Sequence, residues 1–514
     1  MATTEESGGD LARRAVPSGA ANQVGDCPLG SWYAENEEHI SRRSTSWLNP
    51  AVLWAARNEV VSWIADPVDA ERAHWVAMAE KRAVDEGRSA DFVLDETDGA
   101  GAVIVLGDPG EGDLSQYAVL PALEAAGAGV HFGVVCSDVI YPAGSAGDYR
   151  DKFVWPYRRL EFPLWAVPGN HDWYDGLRGF LANFCGVEAA DPSPSRTSFP
   201  GGLRGRVARA LWRRDALTAG DLAGLHDLPP ATRAARRPQP APYFAVDTPH
   251  IRYVGIDTGI TGRIDARQRE WLRRVSTESP APKVLLTGKP LYVNGALDER
   301  TKDVDEIVRD PESNYVAAIG GDTHNYQRYS LDVGGGRVIH YIVSGGGGAF
   351  MHDTHSIPRV HIQDADGRLL LDEPDVRLFP LRRDSMARYS EVLDRKLCLG
   401  LGLLRVTPGE AGLYFVQKMG INPLPVDEGD DMSRRMSLRL RARIAILSRL
   451  YAGPWFHRFF GPIVLDWDRP PVFKQFLRLE PSEQTLVVRC LSADGCAGSE
   501  RSVVEQDRVA IRLT

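Results

Sequence analysis

The sequence predicts an α/β fold, and two observations support this prediction. Short apolar runs alternate along the chain with polar stretches that can form helices. The length of 514 residues leaves room for about three domain equivalents, or for one α/β domain with long insertions. An order of strand, helix and strand is typical of a sheet that carries catalytic loops at its strand ends. The predicted strands cover residues 102–106, 130–135, 164–167, 251–256, 284–286 and 315–319.

The regions before and at the start of this rhythm differ in composition. Residues 1–30 are rich in Gly, Ser, Thr, Glu and Arg, which predicts a disordered tail. Residues 31–95 place Trp and Leu among charged residues, which predicts an N-terminal helical extension that covers a larger body. Asp113 followed by Gln116 is the pattern of a helix N-cap, so the first crossover helix should begin there.

Three further segments complete the organisation. Residues 192–242 hold many Pro, Arg and Ala with little strand pattern, and they predict an insertion with some helix. Residues 351–467 form a predicted helical region rich in Arg, with clear helical spacing from 380 onward. Residues 468–514 return to short apolar alternation, which predicts antiparallel strands that pack back on the core.

The charge balance argues against one class of function. The chain has 60 Lys and Arg residues against 69 Asp and Glu residues, a formal net charge of −9. Such a weakly acidic chain lacks the broad basic surface that non-specific nucleic-acid binding needs. We therefore expect no nucleic-acid partner, and no protein partner is evident from the sequence.

Other features of the sequence bear on location. No stretch reaches the ~18 consecutive apolar residues of a membrane-spanning helix, and the first residues lack the apolar core of a secretory signal. Six cysteines are too sparse for a disulfide framework, which fits a reducing compartment. The expectation is a cytoplasmic protein that is soluble or peripheral to a membrane.

Four short segments place candidate metal ligands directly after predicted strands. Carboxylate, amide, phenol and imidazole groups at successive strand ends can form a cup for a divalent or trivalent ion. The neighbouring glycines fit this role, because a strand that turns sharply to aim a ligand often needs a residue without Cβ. The segments are Gly107-Asp-Pro-Gly110, Ser137-Asp-Val-Ile-Tyr141, Gly169-Asn-His-Asp172 and Gly320-Gly-Asp-Thr-His-Asn325.

The order of these motifs resembles the calcineurin-like metallophosphoesterases, specifically their purple-acid-phosphatase-like branch. The segment Gly321-Asp-Thr-His-Asn-Tyr-Gln-Arg328 is similar to the Gly-His-x-His-x-Tyr-Glu-Arg segment of that branch. The resemblance covers roughly residues 100–350, and it makes residues 96–350 the expected metallophosphoesterase catalytic domain. It implies a four-layer αββα sandwich, here with added helical regions, and a two-metal site at the strand ends that hydrolyses phosphoric esters.

The resemblance also implies roles for the metal ligands. Asp108, Tyr141 and His324 would bind the first metal ion, Asp138 would bridge both ions, and Asn170 would bind the second. A phenolate ligand such as Tyr141 favours iron at the first position. The second position would accept Mn, Mg or Zn, so the expected cofactors are one or two metal ions.

Two residues of the third motif would act on the substrate. By the same resemblance, His171 would lie beside the phosphoryl group of a phosphoric ester as general acid or charge stabiliser, oriented by Asp172. The metal ions would make a bound water acidic enough to attack the phosphorus atom. The substrate is expected to be a phosphomonoester or a phosphodiester.

The chain departs from the family pattern at the second metal position. In Thr287-Gly-Lys-Pro-Leu-Tyr292 the usual His slot is Gly288, and Lys289 is its neighbour. Asp322 occupies the place of the first His of the last motif. Asp322 remains a candidate ligand, and Lys289 is either a cation that binds phosphate or a solvated loop residue.

These departures leave two alternatives open. One is a catalytically weak or silent binding module that has kept the metallophosphoesterase fold. The other concerns residues 432–460, where arginines surround an apolar stripe: this segment could contact an anionic membrane surface or pack its stripe on the catalytic domain. The stripe consists of Met436, Leu440, Ile444, Leu447 and Tyr451, and the aromatic residues Trp455, Phe456, Phe459 and Phe460 follow it.

Overall fold

The structure is a computed structural model of the chain. It describes residues 28–41, 49–194, 199, 201–218, 220–221, 238–349, 362–363, 369–371, 376–419, 435–451 and 472–513. The predicted tail lies almost wholly outside the described residues, as do much of the insertion at 192–242 and the aromatic residues at 455–460.

The described residues form two large sheets and two small hairpins. One large sheet has six strands in the order β18-β17-β16-β2-β3-β4, and the other has eight in the order β1-β5-β6-β7-β10-β12-β11-β15. The strands are β1 (Val93–Asp95), β2 (Ala102–Gly107), β3 (Val130–Cys136), β4 (Leu164–Val167), β5 (Phe244–Asp247), β6 (Arg252–Ile256), β7 (Lys283–Thr287), β8 (Tyr292–Val293), β9 (Ala296–Leu297), β10 (Tyr315–Gly320), β11 (Tyr326–Gly334), β12 (Arg337–Ser344), β13 (Ile362–Gln363), β14 (Leu369–Leu371), β15 (Val376–Phe379), β16 (Lys474–Pro481), β17 (Thr485–Ala493) and β18 (Val504–Arg512).

Helices cover the outer faces of both large sheets and also form a separate group near the C-terminus. All six predicted strands are present, and their ends differ from the prediction by at most one residue. The helices of the described residues are α1 (Ser31–Asn36), α2 (Pro50–Ala55), α3 (Asn58–Ile64), α4 (Val68–Asp85), α5 (Leu114–Ala125), α6 (Arg178–Phe184), α7 (Gly202–Leu211), α8 (Ala266–Thr277), α9 (Lys302–Arg309), α10 (Arg382–Leu397), α11 (Pro408–Met419) and α12 (Leu438–Tyr451).

Side-chain alternation along the strands builds four layers. In β2, Ile104 and Leu106 pack with α4, α5 and α6, whereas Val103 and Val105 pack between the two sheets. The outer face of the eight-stranded sheet, which includes Leu285, packs against α8 and α9. Because successive side chains of a strand point to opposite faces, each sheet is buried on both sides. The fold is therefore a mixed α/β sandwich of the αββα kind, as the resemblance implies.

Parallel pairing brings the expected ligand loops to one edge of the sandwich. Strands β2, β3 and β4 run parallel in the six-stranded sheet, and β6, β7 and β10 run parallel in the other. The loops after these strands meet between the sheets: a Cβ at Gly288 would lie 2.5 Å from the carbonyl oxygen of Pro168. Parallel strands thus place loops from distant parts of the chain at the same end.

Both ends of the chain contribute strands to this sandwich. Residues 31–95 contain α1 to α4 and then β1, which pairs in parallel with β5 at the sheet edge. The C-terminal strands β16, β17 and β18 are antiparallel, and β16 joins them to β2. Asp113 caps α5 as expected, since its side chain accepts a hydrogen bond from the Ser115 N–H.

The Arg-rich region forms a small helical core of its own. Leu440, Ile444 and Leu447 of α12 are buried with Tyr389 of α10 and Phe415 of α11. Within the described residues, the buried part of the apolar stripe therefore packs on α10 and α11, whereas the sequence interpretation had the expected catalytic domain as its partner. Three arginines of this segment are exposed: Arg435, Arg439 and Arg441. Membrane contact through 432–460 remains a prediction.

Two findings bear on the expected location. Every helix within the described ranges is too short or too polar to cross a membrane. Cys496 is disulfide-bonded, whereas Cys136, Cys185, Cys398 and Cys490 are free thiols. One disulfide is not a framework, but disulfides persist mainly in oxidising compartments, so Cys496 does not fit the expected reducing environment.

Candidate metal centre

Three of the candidate ligands have an unusual backbone conformation. Asp108, Asp138 and Asp322 have φ angles of 52°, 30° and 61°, and each lies one or two residues beyond its strand. Residues other than glycine seldom adopt positive φ, and such strain is concentrated at functional sites. The sharp turns at the strand ends therefore serve to aim these carboxylates.

Glycines next to the ligands allow the loops to approach each other closely. A Cβ at Gly169 would lie 2.1 Å from Oδ1 of Asp138, and a Cβ at Gly345 would lie 2.7 Å from Oδ2 of Asp108. Neither position can hold a larger residue unless the carboxylate or the backbone shifts. The glycine-rich run 343–348 thus allows the backbone to come close to the ligands of the site.

The donor atoms of Asp108, Asp138, Tyr141 and His324 converge at the centre of the site. The Tyr141 hydroxyl oxygen lies 3.0 Å from Oδ2 of Asp138, 3.3 Å from Oδ1 of Asp108 and 2.9 Å from Nε2 of His324. One donor atom each from Asp108, Asp138 and His324 lies within 4.8 Å of the others. All four residues are buried. We call them the buried half of the site.

This arrangement fits a metal ion. Metal–ligand bonds of about 2.0–2.2 Å place neighbouring donor atoms about 3.0–3.5 Å apart, which agrees with the distances around Tyr141. Oδ2 of Asp108 is buried and has no hydrogen-bond partner among the described residues. A buried carboxylate oxygen without a partner is costly, and a cation would satisfy it.

The electrostatics of the buried half also favour a bound cation. Burial, followed by the nearby charges of Asp138 and Asp322, raises the pKa of Asp108 well above its usual range. Burial also raises the pKa of Asp138 and of Tyr141, although His171 acts in the opposite direction on Asp138. A bound cation would reverse these shifts and stabilise the ionised forms.

Asn170 lies at the rim of the buried half. Its Nδ2 donates a hydrogen bond of 2.7 Å to the Tyr174 hydroxyl, which in turn donates one of 2.7 Å to Oε2 of Glu59. Oδ1 of Asn170 is buried and has no hydrogen-bond partner among the described residues. The amide is thus held by Tyr174 and keeps an oxygen that could bind a cation.

A backbone carbonyl contacts the His171 ring. Its Nδ1 lies 2.8 Å from the carbonyl oxygen of Pro142, and its Nε2 lies 3.9 Å from Oδ2 of Asp138. The carbonyl of Pro142 therefore helps to orient the ring, and the expected orienting role of Asp172 stays a prediction.

Asp172 also holds together the loops around the site. Its carboxylate accepts hydrogen bonds from the backbone N–H groups of Val139, Ile140 and Gly169. Burial and the nearby Asp138 raise the pKa of Asp172 to about 8. The carboxylate joins the loop after β3 to the loop after β4, which sets the separation of Asp138 and Asn170.

Lys289 and Asp322 form an ion pair on the side of the site that reaches solvent. Nζ of Lys289 lies 2.5 Å from Oδ1 of Asp322, and the two side chains are 13% and 27% exposed. Burial would lower the pKa of Lys289, but the Asp322 carboxylate outweighs it and the pKa is raised. Asp322, a candidate metal ligand in the sequence, thus contacts a lysine.

Sequence analysis missed two residues that hold the site together: Pro142 orients His171, and Tyr174 holds Asn170. Tyr174 follows Asn170 by four residues over a 3-10 helix at His171–Trp173, and this spacing could have indicated it. The Pro142 contact involves a backbone carbonyl, which leaves no signal in the sequence.

No protein-family model and no curated protein sequence matches the chain. Among solved structures, it is similar to the purple acid phosphatase PPD1 from yellow lupin (Lupinus luteus) seeds, with a TM-score of 0.37 and 11% identity over 80% of this chain. It is also similar to GAP50, the anchor in the inner membrane complex of Plasmodium, with a TM-score of 0.30 and 11% identity over 49% of this chain and 74% of GAP50. The chain spans 53% of the lupin phosphatase. These likenesses are distant, so a functional argument has to rest on the site.

Proposed function

We propose that the protein is a metal-dependent hydrolase of phosphoric esters. The observation that supports this most directly is the convergence of Asp108, Asp138, Tyr141 and His324 from three strand-end loops of an αββα sandwich. Mixed oxygen and imidazole donors suit iron, manganese or zinc. Tyr141 favours iron at this position, because a phenolate binds a ferric ion well.

The chain's own residues would supply the rest of the chemistry. Asp108, Asp138, Tyr141 and His324 would hold a metal ion, which would supply a more acidic water and positive charge for the phosphoryl oxygens. The carbonyl of Pro142 accepts a hydrogen bond from the Nδ1–H group of His171, so the ring presents Nε2 to the site. Nε2 lies 3.9 Å from Oδ2 of Asp138, and a proton carried on Nε2 would pass to the leaving-group oxygen.

A second candidate function is a module that binds phosphoric esters without hydrolysing them. The Lys289–Asp322 ion pair favours it, because this pair engages one of the carboxylates expected at a second metal ion. Such a module would bind a phosphoryl group through the first metal ion and the lysine. It would not need a proton donor at His171.

The test uses the full chain, freed of metal with a chelator and reloaded separately with Fe, Mn, Zn or Mg. The substrates are p-nitrophenyl phosphate and bis(p-nitrophenyl) phosphate, which separate monoesterase from diesterase activity. We expect hydrolysis only after reloading. Binding of inorganic phosphate without hydrolysis of either ester, under every metal, would favour the silent module.

A further inference from the structure

The loop after β7 positions Lys289 tightly. The Lys289 N–H donates to Oγ1 of Thr258 at 3.1 Å, and the Lys289 carbonyl accepts from Oγ1 of Thr287 at 3.0 Å. With its backbone held at both groups, the side chain extends to Asp322, where Nζ lies 2.5 Å from Oδ1. An ammonium group held in this way is a built feature of the site and not a mobile surface lysine.

The surroundings of Lys289 exclude an imidazole at the neighbouring position. A Cβ at Gly288 would lie 2.5 Å from the carbonyl oxygen of Pro168 and 3.1 Å from Oγ1 of Thr258. Backbone carbonyls do not yield easily, so any larger side chain at Gly288 requires the two loops to separate. The donors left near a second cation are therefore oxygens, from Asp138, Asn170 and Asp322.

An ion and the ammonium group would compete for the same position. Oδ1 of Asp322 already accepts a charge-assisted hydrogen bond from Lys289, and such bonds are among the stronger ones. A second metal ion bound by Asp322 would lie close to a positive charge, which repels it. Its donor set would also lack the imidazoles that borderline divalent ions prefer.

We propose that Lys289 is the second cation of this site, so that the protein binds one metal ion tightly and uses the Lys289 ammonium group to hold a phosphoryl oxygen. The inference rests on the proposed function for its substrate class. An ammonium can donate hydrogen bonds to a phosphoryl oxygen and stabilise charge there, but it does not activate water. The single ion that the buried half would hold is then the expected source of an acidic water.

Asn170 offers a further oxygen near the position of a second ion. Oδ1 of Asn170 is buried and has no hydrogen-bond partner among the described residues, which is the state expected of a ligand awaiting a second ion. The number of tightly bound ions therefore distinguishes a one-metal site with a lysine from an ordinary two-metal site. This number can be measured without any substrate.

The experiment measures Mn²⁺ binding by calorimetry and elemental analysis on the wild-type chain, Lys289→Met and Lys289→Ala. Lys81→Met, at an exposed position on α4, is the matched control. We expect one tightly bound ion in the wild type and in the control. In Lys289→Ala a second, weaker ion should bind and give the coupled spectrum of two neighbouring Mn²⁺ ions by electron paramagnetic resonance.

Binding of inorganic phosphate to the metal-loaded protein gives the second measurement. Lys289→Met should weaken it by roughly 10- to 100-fold, the usual range for loss of a hydrogen bond to a charged group. Two tightly bound ions in the wild type, or unchanged phosphate affinity in both Lys289 variants, would overturn the inference. If one ion binds as expected but no ester is hydrolysed, the proposed function fails while the role of Lys289 stands.

Discussion

The two halves of the candidate site differ in burial and in charge. The buried half presents two carboxylates, a phenol and an imidazole, with Asp108 and Tyr141 almost fully shielded from solvent. The other half consists of Asn170, Lys289 and Asp322, is partly open to solvent, and holds its own positive charge. We call it the open half.

The difference in burial and charge indicates which half of the site needs a bound ion. In the buried half, burial and the neighbouring carboxylates raise the pKa of Asp108, and its Oδ2 has no hydrogen-bond partner within the part of the chain that the structure describes. In the open half, the Asp322 carboxylate is already paired with an ammonium group. We therefore expect a cation from solution in the buried half, and the Lys289 ammonium group in its place in the open half. The predictions below test this difference.

The largest effect is expected from Asp138→Asn. This carboxylate belongs to the buried half and also faces His171, so its neutralisation should lower turnover by roughly 10³-fold or more. The metal-free variant should unfold at the same or a higher temperature, because one of two crowded buried carboxylates is gone. Kinetics and calorimetry check both points.

Asp98→Asn is the matched control for this variant, since Asp98 is exposed on a turn before β2. It should leave turnover and metal content unchanged. Turnover near the wild-type level in Asp138→Asn would show that the buried half does not carry the chemistry.

A slightly smaller effect is expected from His171→Ala, at roughly 10²- to 10⁴-fold in turnover. The loss should depend on the leaving group. An alkyl phosphate needs a proton on its leaving oxygen, whereas p-nitrophenol leaves more readily, so the alkyl ester should lose more. An equal loss for both esters, or a change in KM alone, would contradict a proton-donor role.

Tyr141→Phe tests whether the phenol belongs to the metal position. Burial and two carboxylates raise the pKa of Tyr141 well above its usual value, so only a strongly charged ion can ionise it. The oxidised, iron-loaded wild type should show a visible charge-transfer band that Tyr141→Phe lacks. Tyr174→Phe is the control, because its hydroxyl contacts Asn170 and Glu59, and it should keep the band. A band that survives in Tyr141→Phe would exclude Tyr141 as a ligand.

The smallest effect is expected on the stability of the fold at acid pH. It comes from a residue that lies outside both halves of the site. Burial, then Arg328, lowers the pKa of His340 on β12 to about 4. The unfolded chain therefore binds more protons than the folded one between pH 4 and about 6.5, and stability is lost as the pH falls through this window. The loss should approach roughly 3 kcal/mol.

His340→Gln should remove most of this loss while it keeps a hydrogen bond to Ser330. Denaturant unfolding at several pH values measures this loss of stability in both proteins. The variant also helps to interpret a loss of activity at acid pH. If the activity is lost in the wild type but kept in His340→Gln, the cause is unfolding and not titration of a residue in the site. Equal pH dependence of unfolding in both proteins would show that His340 is not its source.

Sequence reasoning located the strands and the ligand loops better than the contacts between them. Apolar runs with glycines and acidic residues at their ends are local signals, and Asp108, Asp138 and Asn170 each carry one. The prediction did not include β11 and β12, although β12 pairs with β10 and leads directly to the glycines at the site. Both follow the last strand-end motif, where polar and charged residues interrupt the apolar pattern.

The pairing of Lys289 with Asp322 shows the limit of this reasoning. The sequence shows that an imidazole is absent at Gly288 and that a lysine stands beside it. Whether that lysine reaches the site depends on the positions of two loops 33 residues apart. No local pattern encodes such a distance.

From the sequence alone we could predict the fold class, the order of the strands along the chain and the residue types that could bind a metal ion. These depend on periodicity and on neighbouring residues, which a linear chain contains in full. The folded structure was needed to find that Pro142 contacts His171, that α12 packs on α10 and α11, and that Lys289 pairs with Asp322. Those contacts depend on how two sheets stack and bring their strand ends together, because interactions between distant segments form only when the whole sandwich is packed.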